Sequence, residues 1–368
     1  MSAPSTDSVD TEPPAPETAF PFDLATMRRW LAEHETCSVG EHLTAQQIAG
    51  GRSNPTYSLT DGQHSWILRR PPMGHVLPTA HDMGREYRAM TALRNSAVPV
   101  PRTVGLCEDS ALLGAPFYVM EKLDGTTLRT AQDTGRLTPE QRASIADSMV
   151  DILVALHEID PAEVGLADWG RPQGYLERQL RRWKQQWEHS ATVPRSEVDE
   201  LCTRLAASLP GSNHPGIVHG DFKIDNLMVD HQDPTRILGL LDWEMSTLGD
   251  TLADVGILCS FWDQEGEFHN PITAGATALA GFPRREEIVQ RYGEARGIDV
   301  ADLDWYLVFA DFKIAVILEG IHARYLQGHT DGEDVSDVGS MVGPLLDRAL
   351  HRASHSSAPG LSGLRTNR

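Results

Sequence analysis

The segment Val218-His219-Gly220-Asp221-Phe222-Lys223-Ile224-Asp225-Asn226-Leu227-Met228-Val229, followed by Leu240-Leu241-Asp242-Trp243-Glu244, constrains this chain more than any other part of it. It places a carboxylate (Asp221), a carboxamide five residues later (Asn226) and a second carboxylate closing an apolar run (Asp242) at the spacing of a magnesium-dependent phosphoryl-transfer site. An acceptor hydroxyl needs a carboxylate to orient it and take its proton, worth about 10²–10⁴ in rate, and Asp221 stands where that base belongs. Mg2+ is hard and takes oxygen ligands, which Asn226 and Asp242 can supply. The apolar runs around the turn His231-Gln232-Asp233-Pro234 read as two short strands, which brings Asn226 and Asp242 to the same end of a hairpin. Taken singly each residue has a plainer use, since an Asp at a strand end commonly forms a turn or a cap. Together, flanked by hydrophobic strands, the three point to chemistry.

The remaining composition narrows the class. With 368 residues the chain can hold two lobes, each with its own core. The 52 acidic residues against 32 basic ones give a formal charge of -20, which disfavours a nucleic-acid partner because phosphate binding needs a basic footprint. That excess is compatible with a cationic substrate, and equally with plain solubility. Cys37, Cys107, Cys202 and Cys259 are far apart and form no C-x-x-C pair, arguing against zinc and a disulfide framework and for a reducing, cytoplasmic setting. The longest apolar stretch, Trp305 to Leu318, is interrupted by Asp311 and Lys313, so no membrane span is expected. Residues 1–23 read as a disordered leader and 353–368 as a disordered tail.

Upstream, Gln46–Ala49, the loop Gly50-Gly51-Arg52-Ser53-Asn54, and Tyr57–Leu59 read as strand, loop and strand. Such a loop can lay backbone N–H groups over phosphates, with Ser53 and Asn54 at its end, although an ordinary hairpin has the same pattern. In the next strand, His64 to Arg70, alternation puts Ile67 and Arg69 on one face and Leu68 and Arg70 on the other. A helix over about 81–94 carries Met83, Tyr87, Met90 and Leu93 as its apolar stripe, with Glu86 inside it. A buried carboxylate needs a cation, and Arg69 is the candidate; the other possibility is a solvated glutamate at the edge of a short helix. Leu176, Leu180, Trp183 and Trp187 share another helical face, read first as packing. The arginines beside it, Arg178 and Arg182, suit an acceptor with anionic parts better than a cationic one. His219 is expected to brace the loop, and Asp250 and Asp254 to hold backbone N–H groups of the catalytic turn. Glu244 is a candidate for supporting the metal from behind its ligands.

H-G-D-F-K-I-D-N followed by L-D-W-E resembles the catalytic and metal loops of the aminoglycoside phosphotransferase and choline kinase family, relatives of the protein kinases. Leu68-Arg69-Arg70-Pro71-Pro72, Arg85-Glu86-Tyr87, Val98-Pro99-Val100-Pro101 and Ser246-Thr247-Leu248-Gly249-Asp250 are similar to the branch whose kinase-like domain is fused, in some animal proteins, to an acyl-CoA dehydrogenase. The resemblance implies a bilobal α+β fold: a small antiparallel-sheet lobe over 24–120, a hinge over 121–125 and a larger, mainly helical lobe over 126–352. It implies ATP and Mg2+ in the cleft and a small-molecule hydroxyl as acceptor, chosen by about residues 160–215. The Glu121 carbonyl and Leu123 N–H would meet the adenine edge, with Met120 behind it. Arg69 would take the place of the usual phosphate-holding lysine, paired with Glu86, and Lys223 would neutralise the transferring phosphate. A nucleotide-binding pseudokinase and a metal-dependent phosphohydrolase built on His219, Asp221, Asp242 and Asp250 are the alternatives from other classes. Neither the acceptor nor the oligomeric state is specified by these residues.

Overall fold

The computed structural model describes residues 22–48, 54–72, 82–211, 214–267, 272–300, 303–328, 337–358 and 360–363. Most of the expected leader and the glycine-bearing loop with Ser53 lie outside them. The first lobe runs α1 (Leu24–His34), β1 (Thr44–Gln47), β2 (Thr56–Thr60), β3 (Ser65–Arg69), α2 (Met83–Leu93), β4 (Thr103–Cys107), α3 (Ser110–Leu113) and β5 (Phe117–Glu121). Its strands form one antiparallel sheet in the order β1-β2-β3-β5-β4. Alternation along β3 and β5 sends successive side chains to opposite faces. Trp66, Leu68, Phe117 and Val119 join α1 in one core, while Ile67, Tyr118 and Met120 join α2 and the second lobe in another.

Helix α1 starts where the Asp23 carboxylate caps the N–H groups of Ala25 and Thr26, and Phe22 is buried beside it. Phe22 and Asp23, expected within the leader, therefore belong to the first lobe. The far end of α1 is tied to the sheet by Glu35, which accepts from Trp66 Nε1 at 2.9 Å and pairs with Arg102 at 3.0 Å.

The second lobe runs β6 (Gly125–Thr127), α4 (Ala131–Thr134), α5 (Pro139–Glu158), α6 (Tyr175–Ser190), α7 (Ser196–Ala207), β7 (Pro215–Val218), β8 (Leu227–Asp230), β9 (Ile237–Leu240), β10 (Thr247–Asp250), α8 (Leu252–Ser260), α9 (Arg285–Arg296), α10 (Leu303–Leu326) and α11 (Val342–His355). Helix α5 has a complete start signal: Thr138 and Gln141 form a capping box around Pro139. Strands β8 and β9 pair as the expected hairpin, with Leu227 opposite Leu240, and β6 adds to its open edge. Strand β10, which carries no hydrophobic alternation to betray it, pairs with β7 and closes a second small ribbon under the catalytic loop. Helix α10 is apolar on nearly every side because it is the central helix, packed against α6, α8 and α11. No helix among the described residues is long and apolar enough to cross a membrane.

The expected loose tail is corrected by the same core. Helix α11 continues to His355, Ala353 is fully buried, and Leu361 is buried completely, so both contribute packing despite the Ser- and Gly-rich composition around them, while 359 and 364–368 lie outside the described residues.

The α8–α10 crossing positions the residues beneath the catalytic loop, and it depends on Gly256, whose missing Cβ would lie 2.6 Å from the Tyr306 carbonyl oxygen. Backbone cannot yield as a flexible side chain can. Gly256→Ala is therefore expected to lower stability by about 1–3 kcal/mol, the usual cost of overpacking, measured by denaturant titration.

Candidate active site

The catalytic turn is built around Gly220, whose φ of +85° and distance of 2.6 Å from a would-be Cβ to the Met245 carbonyl leave no room for a side chain. On its N–H side the turn is held by Asp254, fully buried in α8, whose two oxygens accept from the N–H groups of His219 (2.6 Å) and Gly220 (2.7 Å). Asp254 in turn receives His157 Nε2 at 3.2 Å, and His157 Nδ1 meets the Tyr292 hydroxyl at 2.7 Å. Burial works against its ionisation, but His157, His219 and the backbone N–H groups overrule it and leave the carboxyl below its ordinary value. Asp254 thus has the bracing role expected of it. Asp250 caps the start of α8 through Leu252 N–H at 3.1 Å.

His219 is structural too. The Asp221 N–H can only donate, so it makes Nδ1 the acceptor at 3.2 Å, and the Leu241 carbonyl can only accept, so Nε2 donates at 3.0 Å. Both ring nitrogens are occupied in one neutral tautomer, and burial pushes the ring's pKa down to match.

Three expected site residues meet directly beyond the turn. Asp221 Oδ2 accepts from Lys223 Nζ at 2.9 Å and from Asn226 Nδ2 at 3.1 Å, while the same amide also donates to the Asp221 carbonyl at 2.8 Å. Lys223 lies 3.8 Å from Asp225 as well; burial lowers its pKa, but these two carboxylates outweigh that and raise it to about 12. The Asn226 carbonyl accepts from Leu241 N–H at 2.8 Å, which locks the hairpin ends together and carries Asp242 to the site. With Nδ2 of Asn226 committed, its Oδ1 is the acceptor left for a cation. Asp242 adopts φ +65°, unusual for a residue with a side chain, and its Oδ1 is buried without a hydrogen-bond partner, 3.9 Å from Arg69 Nη2. A carboxylate oxygen without a hydrogen-bond partner on one hairpin end and an uncommitted amide oxygen on the other suit a hard divalent ion whose other ligands are phosphate and water. No group of three or more His, Cys, Asp or Glu side chains poised to hold a metal occurs among the described residues.

Arg69 and Glu86 do pair, at 2.9 Å, and Glu86 is 1% exposed rather than solvated. Burial pushes Glu86 up, and Arg69, Tyr118 and Asn54 pull it back; Arg69 is held firmly charged by the surrounding anions, so the contact is an ion pair. Tyr118 donates to Glu86 Oε2 at 2.8 Å, and Asn54 Nδ2 donates to Glu86 Oε1 at 3.2 Å and to Glu244 Oε2 at 3.4 Å. Asn54, a candidate for facing nucleotide, is fully buried and bridges the first lobe to the segment after β9 that carries Glu244. Glu244 meets that amide. Met120 shares the sheet face of Ile67 and Arg69 and is nearly buried, Glu121 ends β5 with its carboxylate on Arg102 N–H at 2.8 Å, and Leu123 lies over Gly239 of β9.

Two features were not recognised from the sequence. Tyr118 is indistinguishable there from any strand tyrosine, and its contact with Glu86 exists only because β5 lies beside β3. On the outer side of α2, Arg85 lies 4.2 Å over the Trp169 ring and donates to the carbonyls of Ser246 (2.8 Å) and Trp169 (3.2 Å), clamping the helix that carries Glu86 onto the second lobe. In the acceptor region, Trp183 and Trp187 are buried as packing residues. Arg178 is spent on the carbonyls of Arg171 and Gln173, whereas Arg182 is exposed and makes only a cation–π contact, with Trp183 at 5.7 Å, among the described residues.

A small sheet lobe and a helical lobe meeting at a charged cleft, with a carboxylate-bearing turn and a strand arginine paired to a helix glutamate, define a kinase-like fold. The profile of the phosphotransferase enzyme family matches residues 44–306, and the chain belongs to that family. A crystal structure of a candidate aminoglycoside phosphotransferase from Ralstonia eutropha jmp134 superposes with a TM-score of 0.76 at 33% identity, covering 90% of this chain and 98% of the other. A microcompartment-associated aminopropanol kinase shares the fold, with a TM-score of 0.59 at 20% identity over 92% of this chain and all of the other. Acyl-CoA dehydrogenase family member 11 of Rattus norvegicus is 35% identical over 337 residues, 89% of this chain but 43% of the rat protein, so the chain spans less than half of that relative.

The buried pair sets an expectation for stability. Glu86→Ala removes the close partner of the buried Arg69 guanidinium, leaving only Asp242 at 3.9 Å, and should cost about 3–5 kcal/mol, whereas Tyr118→Phe, which removes one bond to a charged group, should cost about 1.5–3 kcal/mol, both read from chemical denaturation.

Proposed function

We propose that this protein transfers the γ-phosphate of ATP to a hydroxyl of a small molecule bearing an anionic group, such as a hydroxy acid or a hydroxyacyl-CoA thioester. The observation that carries the transfer is the contact of Asp221 Oδ2 with both Lys223 Nζ and Asn226 Nδ2, which ties base, phosphate-facing cation and metal-facing amide into one short loop. Asp221 orients the acceptor hydroxyl and takes its proton. Lys223, held charged by its carboxylate neighbours, offsets charge on the transferring group. Arg69, fixed by Glu86 and Tyr118, holds phosphate oxygens at the roof of the cleft. Asn226 Oδ1 and Asp242 would hold Mg2+, which when bound neutralises phosphate charge. Met120, Glu121 and Leu123 line the hinge where the nucleotide base would lie.

Arg182 supports the anionic acceptor. Its charge acts on Lys313, Arg85 and Tyr175, and it has no ion pair among the described residues, which supports a cation available to an anionic group despite the chain's acidic balance. The rat relative, named for acyl-CoA dehydrogenation, fits an acceptor with an acyl chain. The aminoglycoside and aminopropanol acceptors named for structural neighbours are cationic and would be repelled there. A phosphohydrolase centred on His219 is opposed by the occupation of both its ring nitrogens.

The test is transfer from γ-labelled ATP with Mg2+ to a panel of aminoglycosides, choline-like alcohols, hydroxy acids and hydroxyacyl-CoA thioesters. Labelled product is expected from the last two groups; ATP binding with no product in any group would defeat the assignment and leave a binding module. Asp221→Asn should lower kcat by about 10²–10⁴ while nucleotide affinity stays nearly unchanged. Arg182→Gln should raise KM for the anionic acceptor roughly tenfold with little change in kcat, the loss of one exposed charge-assisted contact of about 1.4 kcal/mol.

A further inference from the structure

Resting on the phosphoryl-transfer assignment above, we propose that Lys313 is a positioning residue for that reaction: a buried ammonium that holds the Gly220 carbonyl and thereby fixes the turn that aims Asp221. Lys313 lies in the middle of α10, 93 residues from the turn in sequence, and is 7% exposed. Its Nζ donates to the Gly220 oxygen at 2.6 Å, and its other neighbour is the Trp183 ring at 5.5 Å. It makes no ion pair among the described residues, where the Gly220 carbonyl is its hydrogen-bond partner. A buried ammonium with one carbonyl partner and one aromatic face is a poor way to stabilise a fold.

Its partner explains its presence. Gly220 immediately precedes Asp221, and Asp254 already holds the N–H groups of His219 and Gly220. With Lys313 on the carbonyl, the left-handed turn is gripped by an anion on one side and a cation on the other. Rotation of the Gly220–Asp221 peptide, the easiest way for Asp221 to drift, would break that contact. A misplacement of about 1 Å at such a group is enough for a loss on the order of 10²-fold.

The charges around Lys313 set its pH behaviour. Burial pushes its pKa from 10.5 down to about 8; Asp221 of the turn and Asp254 of α8 pull it back, while Arg182 of α6 and Lys223 of the turn press it further down. The protonated form that grips Gly220 is therefore lost as pH rises through about 8. Stability moves the other way: between pH 8 and 10.5 the unfolded chain binds more protons than the folded one at this residue, so the residue's contribution to folding rises with pH in the window where turnover falls. A lysine with no part in aiming Asp221 would show the same rise in its contribution to folding with turnover unchanged.

The experiment uses the full chain, Mg-ATP and release of phosphate to water, which needs no identified acceptor, with hydrogen exchange at the His219, Gly220 and Asp221 amides as a second measurement. Wild-type kcat should fall through a single ionisation near pH 8. Lys313→Met should lower kcat on the order of 10²-fold at neutral pH with KM for ATP unchanged, abolish the alkaline limb, raise the melting temperature or leave it unaltered, and speed exchange at the three amides. Lys313→Arg, which keeps its charge, should restore exchange protection and shift the limb beyond pH 10. Wild-type kcat in the Met variant, or a limb near pH 8 that survives in it, overturns the proposal. If the Met variant does not fold, the Arg variant decides: an alkaline limb unmoved from pH 8 overturns it. Should the wild type release no phosphate to water, the acceptor panel still decides the transfer assignment, and amide exchange decides Lys313 by itself: unaltered exchange in the Met variant overturns the proposal.

Discussion

The catalytic half of the molecule depends on one buried carboxylate, Asp254. A fully desolvated anion is costly unless several donors converge on it, and here two backbone N–H groups and a histidine do. The need is mutual: the left-handed turn at Gly220 leaves its N–H groups with no strand or helix partner, and Asp254 supplies one. Because Asp254 begins α8, and α8 crosses α10 and follows β10, the position of Asp221 is set by the packing of the whole second lobe rather than by its own loop.

The first lobe is attached to that centre by charge rather than by apolar area alone. Arg69 pairs with Glu86, Glu86 is held by Tyr118 and Asn54, and Asn54 reaches Glu244 across the cleft. On the other side of α2, Arg85 lies between Trp169 and Ser246. Glu86 is thus fixed from the sheet, from the opposite lobe and through its own helix. Removing one partner leaves the others buried and underpaired, which makes such a network sensitive to single substitutions.

What was legible beforehand follows from the range of the signals. The hairpin of β8 and β9, the α5 core helix and the α6 stripe were readable because alternation, helical periodicity and capping act within a few residues. Arg69 and Glu86 were expected together because alternation assigned Arg69 a face and a buried Glu86 demanded a cation. Strand β10 was not expected, since Thr-Leu-Gly-Asp has no pattern and is a strand only because β7 lies beside it. Asn54 was placed toward nucleotide on loop chemistry alone, which cannot see Glu86 and Glu244. The burial of Leu361 was missed for a related reason: it is one apolar residue in a polar segment, and only the packed second lobe, with Arg204 of α7 on its carbonyl, gives it a burial site.

The sequence by itself determined the family, the two-lobed α+β class, the candidacy of Asp221, Asn226 and Asp242, and the demand for a cation beside Glu86, because each is a matter of side-chain chemistry at short spacing. Tertiary structure alone decided that Tyr118 steadies Glu86, that Arg178 is spent on its own loop while Arg182 stays exposed, and that Lys313 reaches the catalytic turn. The two charges in the apolar run of α10 were visible from the start as an interruption, but their partners lie 37 or more residues away. A buried charge announces that it must have a partner; only the packed chain determines which one.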